Sequence, residues 1–124
     1  MTKKYWVQIN EIDPIIEEMV VLTVQGVTLR CFASYCPSVI EVGKTYQGEF
    51  EMVLPEDVCI STCETHQTRI EMLGDGFPCE IYGRLQGDSF ESVIDFSDQG
   101  IHFDFPHFNG KFVKITAQRI DVSF

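Results

Sequence analysis

Basic side chains are scarce in this chain, and long apolar runs are missing. Lys and Arg total 9 against 19 Asp and Glu, for a net charge of −10. Direct nucleic-acid binding is disfavoured, because it needs a basic surface to neutralise phosphates. Adhesion to an anionic membrane is disfavoured for the same reason. No stretch approaches the roughly 20 apolar residues of a membrane span. The opening segment has Lys3 and Lys4, but Gln8, Asn10, Glu11 and Asp13 interrupt any export signal, so a cytoplasmic protein is expected. The cysteine count is odd, at positions 31, 36, 59, 63 and 79, which argues for reduced thiols instead of a disulfide framework. Also missing are a Ser-His-Asp order, a glycine-rich phosphate loop, a dinucleotide fingerprint and a zincin helix.

What the chain does have is apolar alternation. Hydrophobic residues make up 44% and ten residues are Phe, enough to fill a core in a single domain over residues 1–124. In Lys44–Leu54, Tyr46, Gly48, Phe50, Met52 and Leu54 share one face, while Thr45, Gln47, Glu49 and Glu51 share the other. Cys79–Gln86 alternates likewise, with Ile81, Gly83 and Leu85 opposite Glu80, Tyr82 and Arg84. Further strands are expected over 5–12, 66–73, 90–96 and 101–105. Met19–Val24 and Val27–Phe32 flank Gln25-Gly26, a two-residue hairpin signal. Asp13-Pro14 opens a short helical turn, 33–43 is a loop, and 58–65 reads as a helical turn or irregular structure.

Residues 110–124 read as one long strand whose apolar phase flips near Gln118 and Arg119. Val113, Ile115 and Ala117 occupy one parity, Ile120, Val122 and Phe124 the other. A period of two changes phase only with an extra residue or a change of neighbours, so a bulge or a passage between sheet layers is expected. Gly48 and Gly83 on apolar faces mark bends or close backbone approaches. The fold expected is all-β and mainly antiparallel: a small, strongly coiled barrel, closed or partly open, with at most one or two short helical turns.

Val42-Gly43-Lys44, the Gly48 and Gly83 bends and Gly110-Lys111-Phe112-Val113 give residues 42–124 a pattern that resembles an OB-like barrel. OB-like domains often bind single-stranded nucleic acid or sugars. The strand faces here carry acids where interleaved aromatic and basic residues would serve nucleic acid, so that binding role is not carried over.

The functional expectation is a non-catalytic domain that binds a protein partner, with a basic partner suited to its charge. Glu49, Glu51, Glu80, Glu91 and Asp95 are the candidate contacts, and an inhibitor or immunity-type protein is one form this takes. No cofactor is expected on this reading. The alternative is a metal- or thiol-dependent site, with zinc at Cys59, Cys63, His66 and Cys79, since thiolate and imidazole are zinc ligands. His102 and Asp104 would share the polar face of a strand. Tyr5 and Trp6 are expected to plug the core; exposed, they would be natural contact residues. Strand-edge pairing would build a homo-oligomer.

Overall fold

Among the described residues, eleven strands build two β layers, and the last fifteen residues join them. The computed structural model describes residues 3–124; residues 1 and 2 of the expected domain and opening segment lie outside the described residues. The first layer is a closed barrel of β1 (Lys4–Ile12), β2 (Met19–Val24), β3 (Val27–Tyr35), β4 (Thr45–Val53) and β11 (Arg119–Ser123). Its neighbours run β1-β2-β3-β11-β4 and back to β1. All pairs are antiparallel except β3 with β11, which is parallel. The second layer contains β5 (Cys59–Thr62), β6 (Arg69–Met72), β7 (Cys79–Gln86), β8 (Ser89–Glu91), β9 (Asp95–Ser97) and β10 (Phe112–Ala117), in the order β5-β10-β7-β8-β9 with β6 also on β7.

The phase flip near Gln118 is the joint between layers. Val113, Ile115 and Ala117 are buried in the second sheet, and Ile120 and Val122 in the barrel. Between them Gln118 leaves both ladders, its amide donating to the Val53 carbonyl at 2.8 Å. The barrel therefore uses residues 4–53 and 119–123 rather than 42–124 as a unit. The intervening segment after β4 makes the second sheet, because its strands pair with one another and with β10.

β7 is the axis of that second sheet. One edge pairs with β10 along Cys79–Arg84. The other edge is divided: Cys79–Tyr82 pairs with β6, and Arg84–Gln86 with β8. Gly83 stands at the division. A Cβ there would lie within 2.9 Å of the Glu91 carbonyl carbon and 3.0 Å of Ser92 Cβ, so only glycine admits this approach. Ser92 Oγ closes the junction by donating to the Tyr82 carbonyl at 2.6 Å. The close approach expected at Gly83 is thus present. Gly48 is milder, with Val122 Cγ2 at 3.0 Å from the same imagined atom.

Several segments differ from expectation. Residues 101–105 form no strand: α1 (Ile101–Asp104) and a 3-10 turn (Pro106–Phe108) occupy this region. Gly100 is left-handed, and buried Asp98 accepts the Gly100 and His102 amides at 3.1 and 2.9 Å. This local capping outweighs the alternation of Ile101, Phe103 and Phe105. Phe103, expected inward, is 78% exposed. Residues 58–65 hold the edge strand β5, and 90–96 splits into the β8–β9 hairpin, still with Phe90, Ile94 and Phe96 buried. No helix follows Asp13. Its Oδ1 instead accepts the Ile16 and Ile15 amides at 2.8 and 2.9 Å, which holds the carboxyl below its usual range. β3 runs on to Tyr35, into the expected loop.

The buried side chains of both layers form one core cluster. Trp6 is not in it. It is 67% exposed, because Val7 and Ile9 take the inward parity of β1. Tyr5 alone acts as the plug, edge-on to Phe50 at 6.1 Å, its hydroxyl accepting the Asp95 amide. No helix among the described residues is long and apolar enough to cross a membrane.

Candidate functional site

Strand parity decides what the outer barrel wall offers to a partner. On β4, Gly48, Phe50 and Met52 turn inward, leaving Gln47, Glu49 and Glu51 outward. On β11, Ile120 and Val122 turn inward, leaving Asp121 and Ser123 outward. β11 lies between β4 and β3, with Asp121 opposite Glu51 and Ser123 opposite Glu49. A register shift after Val122 places Tyr35 of β3 opposite Ser123. On the other side of β4, Lys4 faces Glu49 and Trp6 faces Gln47.

The result is a shallow depression of about 330 Å³ lined by Lys4, Tyr35, Gln47, Glu49, Ser123 and Phe124. Tyr35 is 61% exposed and Trp6 stands beside Gln47, so two large aromatic rings border this wall. A smaller cavity of about 90 Å³ adjoins it and includes Glu49, Glu51 and Asp121. Like charges directly opposite on paired strands are unfavourable by some tenths of a kcal/mol. Asp121 is relieved by Arg119, whose Nε lies 2.7 Å from Oδ1 while its guanidinium covers the Phe32 ring at 4.1 Å. Glu51 makes no ion pair among the described residues.

The five acids expected as contacts therefore separate. Glu49 and Glu51 share the barrel wall and gain Asp121. Glu80 lies on the second sheet opposite Glu71, where Lys114 Nζ meets it at 3.0 Å, and the hydrogen bond and charge raise the lysine's pKa. Glu91 and Asp95 face each other across the β8–β9 hairpin. Asp95 is bonded to Lys3, whose pKa that bond raises.

The zinc candidates separate as well. Cys63 and His66 line a common cavity of the second sheet. Cys59 is exposed on β5, opposite Thr116. Cys79 is fully buried on β7, and burial pushes its thiol up to about 12. All five thiols are free. Among the described residues, no three His, Cys, Asp or Glu side chains group so as to hold a metal ion.

His102 and Asp104, expected on one strand face, sit instead on α1. His102 pairs with buried Asp98: its Nδ1 lies 2.6 Å from Asp98 Oδ2. A carboxylate on Nδ1 fixes a ring's tautomer and orientation. Among the described residues no Ser, Thr or Cys side chain bonds to this imidazole, so the pair secures the turn into α1.

Sequence reasoning missed Tyr35, Asp121 and Asp98. Outward parity was legible for Asp121, but its place opposite Glu51 depends on a pairing of segments far apart in sequence.

No match to a curated protein was found. A family model matches residues 3–124, and the chain belongs to that family, described as Uncharacterised conserved protein UCP019853.

Proposed function

We propose that this chain is a non-catalytic protein-binding domain whose outer barrel wall grips a lysine- or arginine-bearing segment of a basic partner. The observation that carries the reading is the opposition of Glu51 and Asp121 on the same outer wall that bears, further along at Gln47 and Ser123, the exposed rings of Trp6 and Tyr35. A cation arriving there would neutralise Glu51, since Arg119 already holds Asp121, and a second cation of the same segment could rest on the Trp6 or Tyr35 face, an interaction worth about 0.5–1 kcal/mol at exposed sites. The net charge of −10 would speed encounter with a cationic partner. An inhibitor or immunity-type role is the form in which such a wall covers a cationic surface of its target. Five free thiols suit a reducing cytoplasm. We also read the closure order of β1, β2, β3, β11 and β4 as an OB-like barrel.

Trp6 is the sole tryptophan, so its emission reports on this wall directly. Titration with an oligo-arginine peptide should shift that emission, and added salt should reverse the shift. Glu51→Lys combined with Asp121→Lys should abolish it, and Trp6→Phe should weaken binding measured calorimetrically. An emission unchanged by the peptide, or binding indifferent to the double reversal, would sink the proposal.

A further inference from the structure

The second sheet carries a cavity of opposite character to the rest of the surface. Its volume is about 400 Å³, within the range of small-molecule sites. It opens where the segment after β5 meets β7 and the start of β10. Thr62, Cys63, His66, Arg84, Lys111 and Phe112 line it with Gly110, and no carboxylate does. In a chain with 19 acids and 9 bases, that composition is unexpected.

The cations here are also uncommitted. Lys3, Lys44, Arg69, Lys114 and Arg119 are each ion-paired. Arg84 and Lys111 meet no carboxylate within ion-pair distance among the described residues. Arg84 is nevertheless held. Its Nε donates to the Gly110 carbonyl at 3.2 Å, which leaves the terminal NH₂ groups to reach a ligand. The β7–β10 register sets Arg84 directly opposite Phe112, so Lys111 arrives next to it. Gly110, at φ 76°, makes the turn that starts this strand. The His66 ring stacks on Phe112 at 4.5 Å with only 11° between planes, giving the cavity a flat wall.

A guanidinium fork, an ammonium, an imidazole and the Thr62 hydroxyl form a donor set suited to a tetrahedral oxyanion. The volume exceeds what an inorganic ion needs, and the flat wall would receive an organic group. We infer that this cavity binds a phosphoryl group, carried as an ester whose organic part lies against His66 and Phe112.

The test is calorimetric titration of the whole chain with inorganic phosphate, phenyl phosphate and a phosphoserine peptide, with amide shifts recorded at Cys63, Arg84, Lys111 and Phe112. Phenyl phosphate is expected to bind more tightly than phosphate and to move those amides. A still tighter phosphopeptide would assign the phosphoryl group to a protein instead of a free ester. Arg84→Glu and Lys111→Glu should each lower affinity about tenfold or more, the loss typical of a charged hydrogen bond. Lys44→Glu makes the same charge change elsewhere and should leave affinity within about twofold. Both cavity positions are exposed, and Arg84→Lys, which keeps the charge without the fork, provides a milder variant. No binding of any probe at tens of millimolar, or equal losses in Lys44→Glu and Arg84→Glu, would overturn the inference.

Discussion

Replacing Gly83 with alanine should separate the β8–β9 hairpin from the rest of its sheet. The added methyl would lie 2.9 Å from the Glu91 carbonyl carbon and 3.0 Å from Ser92 Cβ. The nearest obstruction is backbone, so no rotamer change relieves it. β8 would have to move, which strains the Arg84–Glu91 pairing and the Ser92–Tyr82 hydrogen bond. Overpacking commonly costs 1–3 kcal/mol, and loss of the hydrogen bond adds about 1 kcal/mol, so we expect about 3 kcal/mol. At the usual unfolding entropy per residue, a chain of 124 residues would then melt about 12 °C lower. Gly48→Ala is the internal standard. Its added methyl meets a side-chain end, Val122 Cγ2, at 3.0 Å, and should cost about 1 kcal/mol. Urea unfolding should be followed by far-ultraviolet circular dichroism, since the one tryptophan is already exposed. A Gly83→Ala stability within about 0.5 kcal/mol of the parent, or a larger loss in Gly48→Ala, would refute the close-approach argument.

Asp98→Ala removes the acceptor of three hydrogen bonds, from the Gly100 and His102 amides and the His102 ring. It should cost about 2–3 kcal/mol by denaturant unfolding, with hydrogen exchange rising across residues 98–104 before the barrel opens. Burial raises the thiol pKa of Cys31 and Cys79 above the ordinary value of 9.0. Their contribution is therefore complete below that pH and lost above it, as the unfolded chain alone ionises. Stability should fall by about 1.4 kcal/mol per pH unit for each thiol, and urea midpoints should fall less steeply in a Cys31→Ala, Cys79→Ala double variant. Protein purified without chelator should contain less than one zinc per chain, and native alkylation should reach Cys36 and Cys59 first; stoichiometric zinc released together with protection of Cys63 would revive the metal reading.

Much of this architecture was legible where one face of a strand is buried. The parity of Phe50 and Met52, of Ile81 and Leu85, and the phase change between Ala117 and Ile120 all describe real faces. The same parity places Trp6 outward beside Val7, and the general preference for buried aromatics misled there. β5 was obscure because an edge strand with little buried surface needs no alternation. α1 was obscure because Ile101 and Phe103 alternate like a strand, while the deciding interaction comes from Asp98 before them. The acids were legible as outward but not as neighbours. Whether Glu51 meets Asp121 or Lys114 depends on which strands pair, and that pairing joins distant segments.

The parallel seam between β3 and β11 has a consequence for how the molecule is made. During synthesis, β3 and β4 emerge early, but each lacks the strand that joins them until Arg119–Ser123 has appeared. At ordinary elongation rates that wait is on the order of several seconds. For its duration the barrel is an open sheet with two unprotected edges, one of them on the acid-bearing β4, whose charge discourages pairing with another nascent chain. Of the second sheet, β6, β7, β8 and β9 can pair meanwhile; β10 then joins β5 to β7, and Gln118 delivers the closing strand to the waiting gap.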